Sequence, residues 1–105
     1  MTIESTKHGV VVVVRLSGRL DAESAPVFES ACEKQLREGA TRLVVDMTDL
    51  QYVSSMGIRS FLVIAKKGRV LIAGLKGFAK EVFDLTNLTA QFQVFDTAEA
   101  ALASL

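Results

Sequence analysis

Apolar residues arrive along the chain in short blocks with two different spacings. Ile3 to Lys7 alternates weakly and reads as an edge strand, closed by a His8-Gly9 turn. Val10 to Leu16 is a β-branched run of the kind found in a strand buried on both faces. Ser17 to Asp21 reads as a loop. Phe28, Ala31, Cys32 and Leu36 then recur at helical spacing, with Asp21 or Ser24 as N-cap, Pro26 tolerated in the first turn and Gly39 ending the helix. Leu43 to Met47 is the next strand. Ile58, Phe61, Leu62 and Ala65 mark the core stripe of a short second helix that closes near Lys67-Gly68. Val70 to Ala73 is a strand and Gly77 to Asp84 a helix with Phe78, Val82 and Phe83 apolar. Asn87 follows where a left-handed cap fits. Phe92 to Phe95 is a last short strand. A helix from Thr97 carries Leu102 and Leu105 inward, with Asp96 and Glu99 at capping-box spacing.

The resulting order, β-β-α-β-α-β-α-β-α, predicts an α/β domain over residues 1–105. Its sheet is mixed or mostly parallel, of four or five strands covered by about four helices. A chain of 105 residues has room for one such domain.

Composition narrows the chemistry. Twelve basic residues balance 12 acidic ones, so there is no clustered cationic excess for nucleic acid. The longest apolar run, Val10 to Val14, is a strand's length and far too short to enter a bilayer. Met1 to Ser5 lacks the basic start and apolar middle of a signal peptide, so a cytoplasmic protein is expected. One Cys and one His provide neither a disulfide nor an ordinary zinc site, and no glycine-rich phosphate loop follows a strand. No cofactor is expected, and a binding or acted-upon protein is favoured over an enzyme. Cys32, on an otherwise apolar helix face, reads as a small core residue.

The junction Tyr52-Val53-Ser54-Ser55-Met56-Gly57-Ile58-Arg59 sets two adjacent hydroxyls between a strand and a helix. A helix start leaves amides without partners and carries partial positive charge, which suits a phosphate. Ser55 reads either as a plain N-cap or as a phosphorylated switch. Arg59, one turn on, is in reach as a counter-charge. Gly57 lets another backbone approach. Val63 and Ile64 point away from the core stripe, with Arg59 and Ser60 on the same outer arc. They suggest an apolar patch covered by a partner, at whose edge a phosphate on Ser55 would lie. Asp46 and Asp49 would add to its repulsion.

These stretches resemble the STAS domain, and within it the anti-sigma factor antagonists of bacterial partner switching. That family carries a stretch like Asp-Leu-Ser-x-Val-x-Tyr-Ile followed by Asp-Ser-Ser-Gly-Leu-Gly. Asp46 to Val53 followed by Ser54 to Arg59 looks similar. Ser17-Gly18-Arg19-Leu20-Asp21 with Ala25-Pro26 resembles its Gly-x-Leu-Asp…Ala-Pro segment, and Val82 to Leu88 its Val-Phe-x-Leu-Thr-Gly-Leu segment. Ser54 stands where the commonest pattern has Asp, Met56 where it has a second small residue, and Arg59 where many members have Gly.

The resemblance implies that Ser55, or less favourably Ser54, is phosphorylated by a serine kinase. That kinase is also the anti-sigma factor, with a histidine-kinase-like ATP-binding fold. It further implies a PP2C-type phosphatase that reverses the step. The partner surface is expected to comprise Asp21, Ser54, Met56, Gly57, Ser60, Val63 and Ile64. The alternative is a STAS module that controls a non-sigma target, such as a secretion regulator, a phosphatase or a transporter.

Overall fold

The computed structural model describes all 105 residues. Five strands form one sheet: β1 (Thr2–His8), β2 (Val11–Leu20), β3 (Arg42–Val53), β4 (Arg69–Ala73) and β5 (Gln93–Phe95). Four helices connect or follow them: α1 (Ala25–Arg37), α2 (Ser55–Ala65), α3 (Gly77–Leu85) and α4 (Ala98–Ala103). Spatial order equals chain order, β1-β2-β3-β4-β5. β1 pairs antiparallel with β2, and every later pairing is parallel. The mixed α/β sheet expected from the alternation is the one observed.

Burial explains the layers. Alternate residues of the central strands go to opposite faces. Val12, Val14 and Leu16 join Leu43, Val45 and Ile72 in a core closed by Phe28 and Cys32 of α1, Phe61 and Ile64 of α2, and Ala79 and Phe83 of α3. Val13, Val44, Leu71 and Ala73 face the other way and are covered by Ala101 of α4. Val12 to Val14 are therefore buried on both faces, as the sequence predicts, whereas Val10 is exposed ahead of the strand and Arg15 is exposed within it.

Three phenylalanines tie the first three helices together. Phe61 of α2 lies 5.1 Å from the Phe28 ring and 5.2 Å, edge-on, from Phe83. All three are fully buried, each contributing about 1.5–3 kcal/mol by burial alone. This row pins α2 between its neighbours and fixes where its first turn stands.

Several local expectations are corrected. Ser17 to Leu20 is strand, not loop. β2 runs through it with register shifts against β3 between Arg15 and Ser17 and between Gly18 and Arg19. β3 likewise continues past Met47 to Val53. The helical stripe is rotated, since Leu62 and Ala65 are exposed while Ser60 and Ile64 are buried. Leu105 is exposed rather than inward, and Phe78, one of the apolar residues of α3, is exposed too. The α4 cap is Thr97, whose hydroxyl accepts the Ala100 N–H at 3.0 Å, in place of an Asp96–Glu99 box. Gly39 and Asn87 take the positive φ expected of them, 109° and 62°.

Candidate functional site

The carboxyl ends of β2 and β3 bring two helix starts side by side. Leu20 pairs with Val53 at the last rung, and the Ser54 N–H donates to the Leu20 carbonyl at 2.9 Å. The chain thus enters α2 from a fixed point on the sheet. Ser54 is the N-cap, with extended backbone, and its hydroxyl accepts the Gly57 N–H at 3.3 Å. The cap is one residue earlier than the plain reading of Ser55 had it. Ser55 becomes the first helical residue; it is exposed, and its hydroxyl makes no hydrogen bond within the chain.

Gly57 has a different reason to be glycine from the one its sequence suggests. A Cβ there would lie 2.9 Å from Leu20 Cγ, the Leu20 carbonyl oxygen and Val53 Cγ2. The absent side chain lets the first turn of α2 seat on the strand ends, and Gly57 is buried by that contact. Ser60, expected on the outer arc, is buried between helices. Its hydroxyl bonds the Glu29 carboxylate at 2.8 Å and lies 3.2 Å from the Met56 carbonyl oxygen. It clasps α2 to α1. Ile64 is likewise core, so neither Ser60 nor Ile64 belongs to an exposed patch. Met56 is 42% exposed, Val63 is half-buried and Arg59 is exposed. Ser55, Met56 and Arg59 are exposed near the start of α2, and the exposed Leu62 and half-buried Val63 lie toward its end.

Asp21 faces the start of α1. Its carboxylate accepts the N–H groups of Ser24 and Glu23, both at 3.1 Å. The backbone N–H of Ser24 is the largest reason its pKa lies below the ordinary aspartate range, with the Ser24 hydroxyl and the Glu23 N–H adding to it. Its negative charge is therefore held in a local turn. The other carboxylates are engaged as well. Asp49 pairs with Arg15 at 2.6 Å, and Asp46 accepts the Thr48 hydroxyl and N–H at 2.6 and 3.0 Å. Arg15 is raised above the ordinary arginine value chiefly by that Asp49 hydrogen bond. Arg15 offsets the Asp49 charge, whereas Asp46, bonded only to neutral groups of Thr48, keeps its charge.

A group at the same edge carries no signal of its own in the sequence. The Arg19 guanidinium lies 4.0 Å from the centre of the Tyr52 ring, and Tyr52 stacks on Phe78 at 5.5 Å and 7°. Residues so far apart in sequence meet only because β2, β3 and α3 end or begin at one edge.

No three metal-ligating side chains converge anywhere in the chain. No helix is long and apolar enough to cross a membrane. Cys32 is buried, and desolvation pushes its thiol up to about 12. The chemistry on offer is that of an exposed hydroxyl at a braced helix start.

Comparison with known proteins bears on what such a hydroxyl serves. The STAS domain model matches residues 2–101. The chain belongs to the STAS domain family. Among curated relatives it is 29% identical to BtrV of Bordetella bronchiseptica, described as a candidate anti-sigma factor antagonist, over 99% of this chain and 94% of that protein. It is 23% identical to the anti-sigma-F factor antagonist RsfB of Mycobacterium tuberculosis, over 100% of this chain and 89% of RsfB. Among solved structures, an anti-sigma factor antagonist from Mycobacterium paratuberculosis superposes with a TM-score of 0.89 at 25% identity. That match covers 98% of this chain and 92% of the other.

Proposed function

We propose that this protein is an anti-sigma factor antagonist that holds its partner while Ser55 is unmodified and releases it when Ser55 carries a phosphate. The observation that carries the reading is the Ser55 hydroxyl: exposed, internally unbonded, and fixed at the first position of α2 by contacts that do not involve it. STAS membership and relatives named as anti-sigma factor antagonists support it. The partner is a serine kinase that is also the anti-sigma factor, with a histidine-kinase-like ATP-binding fold. A PP2C-type phosphatase resets the switch. Here the protein is substrate and ligand, and the ATP belongs to the partner.

The chemistry follows from the helix start. The Ser55 Oγ takes the γ-phosphoryl group from partner-bound ATP, ADP leaves, and the hydroxyl proton passes to a base on the kinase. Phosphorylation brings nearly two negative charges and three acceptor oxygens. In the free protein they are accommodated by first-turn amides without helical acceptors, and Arg59 adds positive charge one turn on. Against a partner the same group must be desolvated or meets like charge. Ser54, already spent as the cap, is a positioning residue that aims Ser55.

The decisive experiment purifies from the protein's own cells the ATP-dependent activity that phosphorylates it, then maps the site by mass spectrometry. Wild type should gain one phosphate on Ser55 and Ser55→Ala none. Phosphate on Ser54, or undiminished uptake by Ser55→Ala, would move the site. An absence of phosphate in cells under every growth condition would favour a constitutive adaptor for a non-sigma target.

A further inference from the structure

Phe78 poses a question that its own helix does not answer. It sits in the first turn of α3, yet the buried residues of that helix are Ala79 and Phe83. Phe78 remains 47% exposed. It is nevertheless held, lying flat on Tyr52 at 7° and 5.5 Å, while Tyr52 holds the Arg19 guanidinium at 4.0 Å. The Arg19 backbone is fixed as well, because its carbonyl accepts the Ser24 hydroxyl at 2.9 Å. Three planar groups from the ends of β2 and β3 and the start of α3 are thus preorganised at the surface. Such a stack gives the free fold modest stability, since one aromatic face stays in water. Rigid aromatics and arginine are, however, the residues that anchor interfaces, because little side-chain freedom remains to be lost on binding.

We infer that the Arg19–Tyr52–Phe78 stack is a second anchor of the docking surface, beside Ser55. It fits a face of the kinase partner that offers an apolar recess to Phe78 and a carboxylate to Arg19. The inference rests on the function proposed above and deepens it.

Two observations select that occupant. Arg19 takes part in none of the four ion pairs of the chain, and Asp21 influences it only at longer range. A weakly hydrated guanidinium over a ring lacks only its carboxylate. The stack is also continuous with the phosphoacceptor. Tyr52 is two residues before Ser54, and the Ser54 N–H is bonded to the carbonyl of Leu20, next to Arg19. The stack and Ser55 are thus carried by the same two strand ends. The division of labour is specific. Ser55 supplies the switch, and the stack supplies affinity and partner choice in both phosphorylation states.

The test is calorimetric titration of the purified kinase with wild type, Phe78→Ser, Arg19→Gln and, as control, Leu85→Ser. Leu85 is 87% exposed at the far end of α3. Circular dichroism of each variant checks the fold, and Arg19→Gln carries the test if Phe78→Ser misfolds. Phe78→Ser and Arg19→Gln should each weaken binding about tenfold or more, with Leu85→Ser unchanged. Each stack variant should keep the wild-type ratio between unphosphorylated and phosphorylated affinities. Binding within about twofold of wild type for both stack variants would overturn the stack alone. So would a self-associated wild type that Phe78→Ser renders monomeric with kinase affinity intact, because the occupant would then be a second copy. Failure of wild type to bind the kinase at all would overturn the proposed function and this inference together.

Discussion

The starts of α1 and α2 lie on adjacent strand ends, one with a single serine and the other with two, and they are finished differently. At α1, the Ser24 hydroxyl donates to the Arg19 carbonyl at 2.9 Å and accepts the Asp21 N–H at 2.9 Å, while the Asp21 carboxylate takes the N–H groups of Ser24 and Glu23. Its polar groups are used up inside the turn. At α2, Ser54 takes one amide and Ser55 takes none. One hydroxyl suffices to cap a helix start, and α1 and α3 begin with no side-chain cap at all. The second serine of α2 is surplus to folding, which leaves it available to chemistry without cost to the fold.

The largest test of this contrast is charge. Ser55→Asp should weaken binding to the purified kinase by at least about tenfold, since a carboxylate there meets desolvation or like charge in the complex. Unchanged affinity by calorimetry would remove the electrostatic account. Steric support for the open start comes next. Gly57→Ala places a methyl group 2.9 Å from the Leu20 carbonyl oxygen and should cost about 1–3 kcal/mol in urea unfolding. A neutral result would show that α2 can shift on the strand ends.

The two caps themselves should differ in the same assay. Ser24→Ala, which breaks a bridged turn, should lose about 1–2 kcal/mol, and Ser54→Ala, which loses one long bond, about 0.5–1 kcal/mol. The opposite order would contradict the closed and open assignment. The smallest effect is acidic. The pKa of Asp21 is lowered in the fold, so its contribution is present above the unfolded aspartate value and is lost as pH falls through the lower folded value. Wild type and Asp21→Asn should therefore converge in stability below about pH 4. A constant difference down to pH 2 would show that the carboxylate's charge plays no part in the turn.

Much of this was legible in the chain, and what was not has local causes. Period and β-branching place β2, β3 and β4 because burial on both faces leaves a continuous apolar run. Segment 17–20 escapes that logic: Gly18 sits at φ 96° between two register shifts, and a strand with such irregularities has the composition of a loop. On α2 the spacing admits two rotations of the apolar stripe. Leu62 is a better core residue than Ser60 by hydrophobicity, but Ser60 is the one that finds a partner, Glu29, on the neighbouring helix. The Ser54–Ser55 junction was visible as a helix start, whereas which serine caps and which stays free is decided by the entry angle from Val53. The Arg19–Tyr52–Phe78 group had no pattern to betray it, because its three members belong to three elements.

The strand order has a consequence for how the molecule comes into being. Because β1 to β5 lie in the sheet as they lie in the chain, each strand adds to an edge that already exists. The sheet never has to open to admit a late arrival. As the chain leaves the ribosome, the β1–β2 hairpin can wait with one free margin while each successive helix and strand is laid beside it. The serine junction, midway along the chain, precedes β4 and β5 in that order.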